Sequence, residues 1–180
     1  MFRFPTFISR PVSALATAAL VAIAVAAAPV TADAWVDPST GLSHPTKVTR
    51  RAEIPEKNWL PGHRGVDLAL RPGQAVRAAA GGEVAFAGVV VGVPVVSIVH
   101  PDGLRSTYQP VDPHVAVGQH VAEGQQIGTL SRVAPSARAA HDGLHWGVLT
   151  GPDTYIDPLT LLDAPIIRLK PVDGPGRKPF

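Results

Sequence analysis

One histidine stands where a histidine needs a reason. The segment "DGLHWGVL", residues 142–149, sets His145 between Leu144 and Trp146, with Gly143 and Gly147 outside them. A strand this apolar is expected to be buried, and a buried imidazole without a partner costs free energy. His145 is therefore either a metal ligand or a core histidine bonded to a nearby carbonyl. A second group lies in "GHRGVDLAL", residues 62–70, where His63 and Asp67 are four apart. On an extended segment, positions i and i+4 share a face, so both side chains could point to one metal. An imidazole nitrogen and a carboxylate oxygen suit zinc, with His145 as a third ligand. The same spacing also describes an ordinary hydrogen-bonded surface pair. On the residues alone, both readings stand.

The elements that must position these groups read as strands. "QAVRAAAGGEVAFAGVVVGVPVVSIVH", "LRSTYQPV", "HVAVGQHVAEGQQIGTL" and "LHWGVLTG" are short, Val-rich runs punctuated by Gly and Pro. That is the pattern of an all-β fold, expected here as two mostly antiparallel sheets in a sandwich or barrel-sandwich over residues 60–163. The Val-rich runs from 84 to 99 are expected to be its central strands. The Ala-rich "VRAAAGG" resembles a helix by composition, but two glycines and the alternating "EVAFAG" behind it argue for strand. Only "PLTLLDAP", residues 158–165, has a helical period, enough for one turn. "PGQAVRAAAGGEVAFAG" and "VGQHVAEGQQIGTL" echo each other, as two similar hairpin units would; chance gives a match this short as well.

The ends have other textures. Arg3 and Arg10 precede an apolar run over residues 14–30, and "ADA" follows at 32–34. This is the plan of a secretory signal peptide cleaved before Trp35, with an uncleaved anchor as the alternative. Residues 35–59 read as a linker, and 164–180 as a Pro/Gly-rich tail. Removing residues 1–34 takes two of the 16 Lys+Arg and one of the 14 Asp+Glu, which leaves 14 and 13, or a net charge of +1. A balance so near zero, without a basic run, excludes a nucleic-acid footprint. There are no cysteines, so an exported domain must rely on its core or a metal for stability.

In order and spacing, "HRGVDLAL", "GQAVRAAAGGEVAFAG", "VSIVHPDG", "TYQPV", "VAVGQHVAEGQQIGTL" and "LHWGV" resemble the lysostaphin/LytM-type zinc peptidases over residues 60–160. His63, Gly65 and Asp67 match the family's opening motif. His145 and Trp146 match the second half of its closing His-x-His-aromatic motif. The resemblance implies that His63, Asp67 and His145 bind zinc. Three protein ligands leave a fourth position for water, the plan of a catalytic zinc.

The chain departs from the family where protons are handled. The first His of His-x-His is here Gly143, and the His of the family's Tyr-x-His segment is here Pro110. Neither carries a titratable group. Candidates to replace them are His141, four residues before His145 and on its face if the segment is extended; His114, near the segment whose histidine is missing; and Tyr108, which matches the family's tyrosine. His120, Asp142 and Gln109 are polar neighbours of the same positions, and His100 reads as structural.

Two functions follow from the resemblance. One is zinc-dependent cleavage of peptidoglycan stem peptides or cross-bridges by an exported, weakly active, monomeric hydrolase. The other is a non-catalytic module that binds peptidoglycan or regulates a cell-wall hydrolase.

Overall fold

The structure is a computed structural model that describes residues 35–132, 141 and 143–164. The expected leader and nearly all of the expected tail lie outside the described residues. The chain forms β1 (Val48–Arg50), β2 (Val66–Leu68), β3 (Ala75–Arg77), β4 (Gly82–Val90), β5 (Val93–Val99) and β6 (Arg105–Gln109). It continues with β7 (Val111–Pro113), β8 (His120–Val121), β9 (Gln126–Leu130), β10 (Leu144–Leu149) and β11 (Tyr155–Ile156). The "PLTLLDAP" segment makes one 3-10 turn, Pro158–Leu161, capped by the Asp157 side chain, which accepts from the Leu159 N–H. The larger sheet runs β1-β2-β10-β6-β5-β4-β8, with β11 beside β10, and the smaller runs β3-β9-β7. Every pairing is antiparallel. The fold is thus the all-β, two-sheet arrangement that the strand pattern predicts, without a closed barrel.

Period-two alternation divides each inner strand between core and outer face. In β10, Leu144, Trp146 and Val148 are fully buried, as is Tyr108 in β6. With Val66, Leu68, Val96 and Ile98 of the large sheet and Val76, Val111 and Ile127 of the small one, they form one cluster. The alanine run after β3 is where backbones meet. Ala79 N–H donates to the Tyr108 hydroxyl, Ala78 N–H to Gln125 O, and Ala79 O accepts from Val36 N–H. Larger side chains would hold these segments apart.

The sequence echo corresponds to a repeated turn. Arg71–Gln74, Ala116–Gln119 and Ala122–Gln125 each close a bond from the fourth N–H to the first carbonyl. Gly73, Gly118 and Gly124 hold the third position at positive φ, which a Cβ disfavours. In each turn the glutamine side chain accepts from the first residue's N–H.

Two expectations are corrected. Residues 35–59 are not a linker. Trp35 packs edge-on against His100, centroids 4.7 Å apart, and stacks on Trp146 at 6.3 Å. Buried Asp37 accepts from the backbone and hydroxyl groups of both Ser39 and Thr46, and β1 pairs with β2. One tryptophan and one carboxylate anchor this stretch, and neither leaves a periodic signal. The runs from 84 to 99 are also not both central. β5 is flanked on both sides, but β8 covers β4 only at Gly82 and Glu83. The hairpin tip carries Val89 and Val91 at 67% and 85% exposure.

Candidate metal centre

Strand register brings the centre together. β10 lies between β2 and β6, with His145 opposite Asp67 on one side and opposite Gln109 on the other. Alternation sends Leu144, Trp146 and Val148 into the core, so His145, Gly147 and Leu149 take the other face. An imidazole in an apolar run is thereby explained: the run is apolar on its core face, and His145 belongs to the other.

The spacing of His63 and Asp67 works differently from the extended-strand expectation. Four extended residues would separate their Cα atoms by about 13 Å, too far for one ion. The chain instead bends at Arg64 and Gly65 before β2 begins, and His63 Nε2 comes to 3.0 Å from Asp67 Oδ1. Gly65 permits this because a Cβ there would overlap Trp146 O and lie 2.9 Å from Gly147 Cα. A reciprocal arrangement holds on β10. Gly143 has φ +96°, and its Cβ would overlap Leu68 O and lie 3.0 Å from Leu70 N. This turn, rather than an extended segment, sets His141 against His145, with ring centroids 4.0 Å apart and planes 28° apart. The glycine of His-x-Gly-x-Asp thus packs on the backbone just after His145, and that of His-x-Gly-x-His on the backbone just after Asp67.

Four side chains converge. Asp67 Oδ1 lies 3.0 Å from His63 Nε2, 2.9 Å from His145 Nδ1 and 3.0 Å from His141 Nδ1. His63 Nε2 and His145 Nδ1 are themselves 3.0 Å apart. His63 Nδ1 is 2.8 Å from Arg51 O, which only accepts, so that nitrogen carries the proton and Nε2 presents a lone pair. A lone pair beside a carboxylate oxygen needs a cation between them, either a second proton or a metal. His63, Asp67 and His145 are all buried, and unpaired charge is costly there. Burial pushes the Asp67 carboxyl up, but the adjacent His141 and His145 imidazoles outweigh it and hold Asp67 well below the usual carboxylate range. Burial lowers His145, against the opposing pull of Asp67. An ionised carboxylate with a neutral imidazole is the state that metal binding needs. This group of His63, Asp67, His141 and His145 has ligand atoms within 4.8 Å of one another, and imidazole with carboxylate fits zinc.

The centre opens into a cleft of about 320 Å³ lined in part by Thr107, Gln109, Gly147 and Tyr155. Of the proposed replacements for the missing acid–base histidines, His141 is at the centre; Asp142 lies outside the described residues. Tyr108 is fully buried, its hydroxyl accepts from Ala79 N–H, and burial pushes its pKa up to about 12. It faces the core because its neighbours Thr107 and Gln109 take the cleft side. His114 is exposed beyond β7, and His120 is exposed beside Glu83; neither lines the cleft. His100 is buried between Gly81 O and the Ser106 hydroxyl, a structural histidine. Gln109, a polar neighbour of the vacant positions in the sequence, lines the cleft, and its side-chain nitrogen lies 3.2 Å from His141 Nε2. Strand parity next to core-facing Tyr108 places it there.

An all-β scaffold with a buried His/Asp group under an open cleft offers the ligand set and the open pocket that metal-site chemistry uses. The chain belongs to Peptidase family M23, whose sequence profile matches residues 61–158. Uncharacterised proteins of Mycobacterium bovis and Mycobacterium tuberculosis are 49% identical over 139 residues, 76% of this chain and 55% of theirs. The chain therefore spans about half the length of the curated relatives it matches. Among solved structures, Helicobacter pylori Csd3 is 29% identical with a TM-score of 0.50, covering 71% of this chain and 36% of that one. The catalytic domain of the antimicrobial peptidase lysostaphin from Staphylococcus simulans is 24% identical with a TM-score of 0.51, over 62% and 86% of the two chains. The SpoIIQ–SpoIIIAH pore-forming complex matches with 21% identity and a TM-score of 0.56, over 76% and 95%. The last two show likeness of fold.

Proposed function

We propose that this domain is an exported zinc peptidase of its family that acts slowly on the peptide part of peptidoglycan. The convergence of His63 Nε2, His145 Nδ1 and Asp67 Oδ1 beneath the cleft carries the reading. These three residues would hold the ion, and the Arg51 carbonyl sets the His63 tautomer. Zinc bound there lowers the pKa of a coordinated water and polarises a substrate carbonyl. Thr107, Gln109 and Tyr155 line the space a peptide would occupy. Gly143 and Pro110 place no titratable group where the family keeps its two acid–base histidines. A positioned acid or base typically contributes ~10²–10⁴-fold, so the rate is expected to be low. Export would entail cleavage before Trp35, whose side chain belongs to the core, and is checked by N-terminal sequencing of the secreted chain.

The test is zinc content followed by digestion of purified peptidoglycan. About one zinc per chain is expected, with slow release of soluble peptides that stops in His145→Ala. A chain that purifies and remains metal-free after zinc loading would sink the reading. The vacant acid–base positions also favour a second one: a module that binds peptidoglycan or regulates another hydrolase. Co-sedimentation with insoluble peptidoglycan, without release of peptide over long incubation, would select it.

A further inference from the structure

We propose that His141 Nδ1 is a fourth protein ligand, so that the resting metal is enclosed by protein atoms and is exposed to the cleft only when His141 withdraws. The inference rests on the zinc reading above and concerns a residue outside the three-ligand set. His141 Nδ1 is as close to Asp67 Oδ1, at 3.0 Å, as His63 Nε2 is. A base serving a metal-bound water would stand back from the ligand atoms by the width of that water. His141 does not, because its ring is stacked on His145 and both Nδ1 atoms face one carboxylate oxygen.

Two further observations point the same way. His141 Nδ1 is buried and, although close to Asp67, is not aligned to hydrogen-bond with it or any other group. Such a nitrogen is orphaned in the metal-free protein and satisfied by a cation at the centre of the group. The other ring nitrogen, Nε2, meets the side-chain amide of Gln109. An amide offers either its oxygen or its nitrogen. With the oxygen turned to His141, Nε2–H donates and Nδ1 presents a lone pair to the metal. With the nitrogen turned to it, as in this structure, Nε2 accepts and Nδ1 keeps a proton that faces Asp67, the metal-free state. Gln109 therefore serves both conditions without moving its backbone. The remaining support is topological. Gly65 packs on the strand backbone that follows His145, and Gly143 on the backbone that follows Asp67, so His141 stands two residues before its packed glycine as His63 stands before the other.

Cobalt(II) substitution in the full chain tests this without measuring activity. Four protein ligands give cobalt an intense tetrahedral absorption that azide, a small anionic ligand, perturbs little. In His141→Ala the freed position should bind azide, lowering its half-saturation about tenfold or more, and zinc affinity should fall about tenfold or more, as a ligand should matter at least as much as outer partners worth 10–100-fold. Equal, strong azide responses in both proteins with unchanged zinc affinity would make His141 a bystander or a base and overturn the inference alone. Should His141→Ala fail to fold, the azide titration of the unmodified chain still decides: ready binding overturns the closed centre, and resistance supports it. Failure of the unmodified chain to take up cobalt or zinc would overturn the zinc reading itself.

Discussion

The arms His63–Asp67 and His141–His145 have the same pattern, and they are held by different means. His63 is fastened by backbone: it pairs with Glu53 in both directions, and its ring is bonded to the Arg51 carbonyl. His141 is held by a side chain, Gln109, and is 15% exposed where His63 is 3%. The glycines differ too. Gly65 is required by space alone, whereas Gly143 is required by both space and a positive φ. One arm is rigidly placed. The other turns through a glycine at positive φ and is fastened by a flexible amide, which suits a ligand that can leave.

The sharpest way to break the comparison is at the glycines. Gly143→Ala should destabilise the domain by roughly 3–5 kcal/mol, because a left-handed conformation and overpacking against β2 add. Gly65→Ala should cost about 1–3 kcal/mol, since only overpacking acts. Urea unfolding of both variants gives the order, and equal losses would remove the asymmetry. Restoring the family histidine by Gly143→His is expected to unfold the domain rather than activate it.

The ligands come next. His63→Ala should weaken zinc binding by more than about 100-fold, beyond the 10–100-fold typical of lost outer partners, and by more than His141→Ala does. Chelator competition measures both. A reversed order would mean that His141 is the more firmly held ligand.

Acid should then loosen the metal-free centre. Burial holds His145 below its ordinary value of 6.5 in the folded state, so below that pH the unfolded chain binds more protons and stability falls. Depressed Asp67 acts in the same direction at still lower pH. Denaturation midpoints measured in chelator should be lower at pH 5.5 than at pH 7.5, and His145→Gln should flatten the difference. The smallest effect is expected from Gln109→Leu, a loss of zinc affinity of about tenfold by the same competition assay, with little change in the midpoint.

Much of this molecule is readable from local chemistry. Period-two alternation in Leu144–Leu149 marks both a core face and a functional face, and His63, Asp67 and His145 are identifiable by residue type and family resemblance. Gly and Pro punctuation marks the strands and the single turn at Pro158–Leu161. Such features need only neighbours a few residues away. The centre itself depends on β2 meeting β10 across 78 residues, and no local period encodes that pairing. Spacing assigned His63 and Asp67 to one strand face, but only the bend at Gly65 against β10 brings them within reach of one ion. The same holds for His141, which the turn at Gly143 carries to the centre, and for residues 35–59, whose backbone positions His63. Sequence period specifies which face a side chain takes. Distance across the fold is set by close packing between segments remote in the chain, and that decided which side chains meet at the centre.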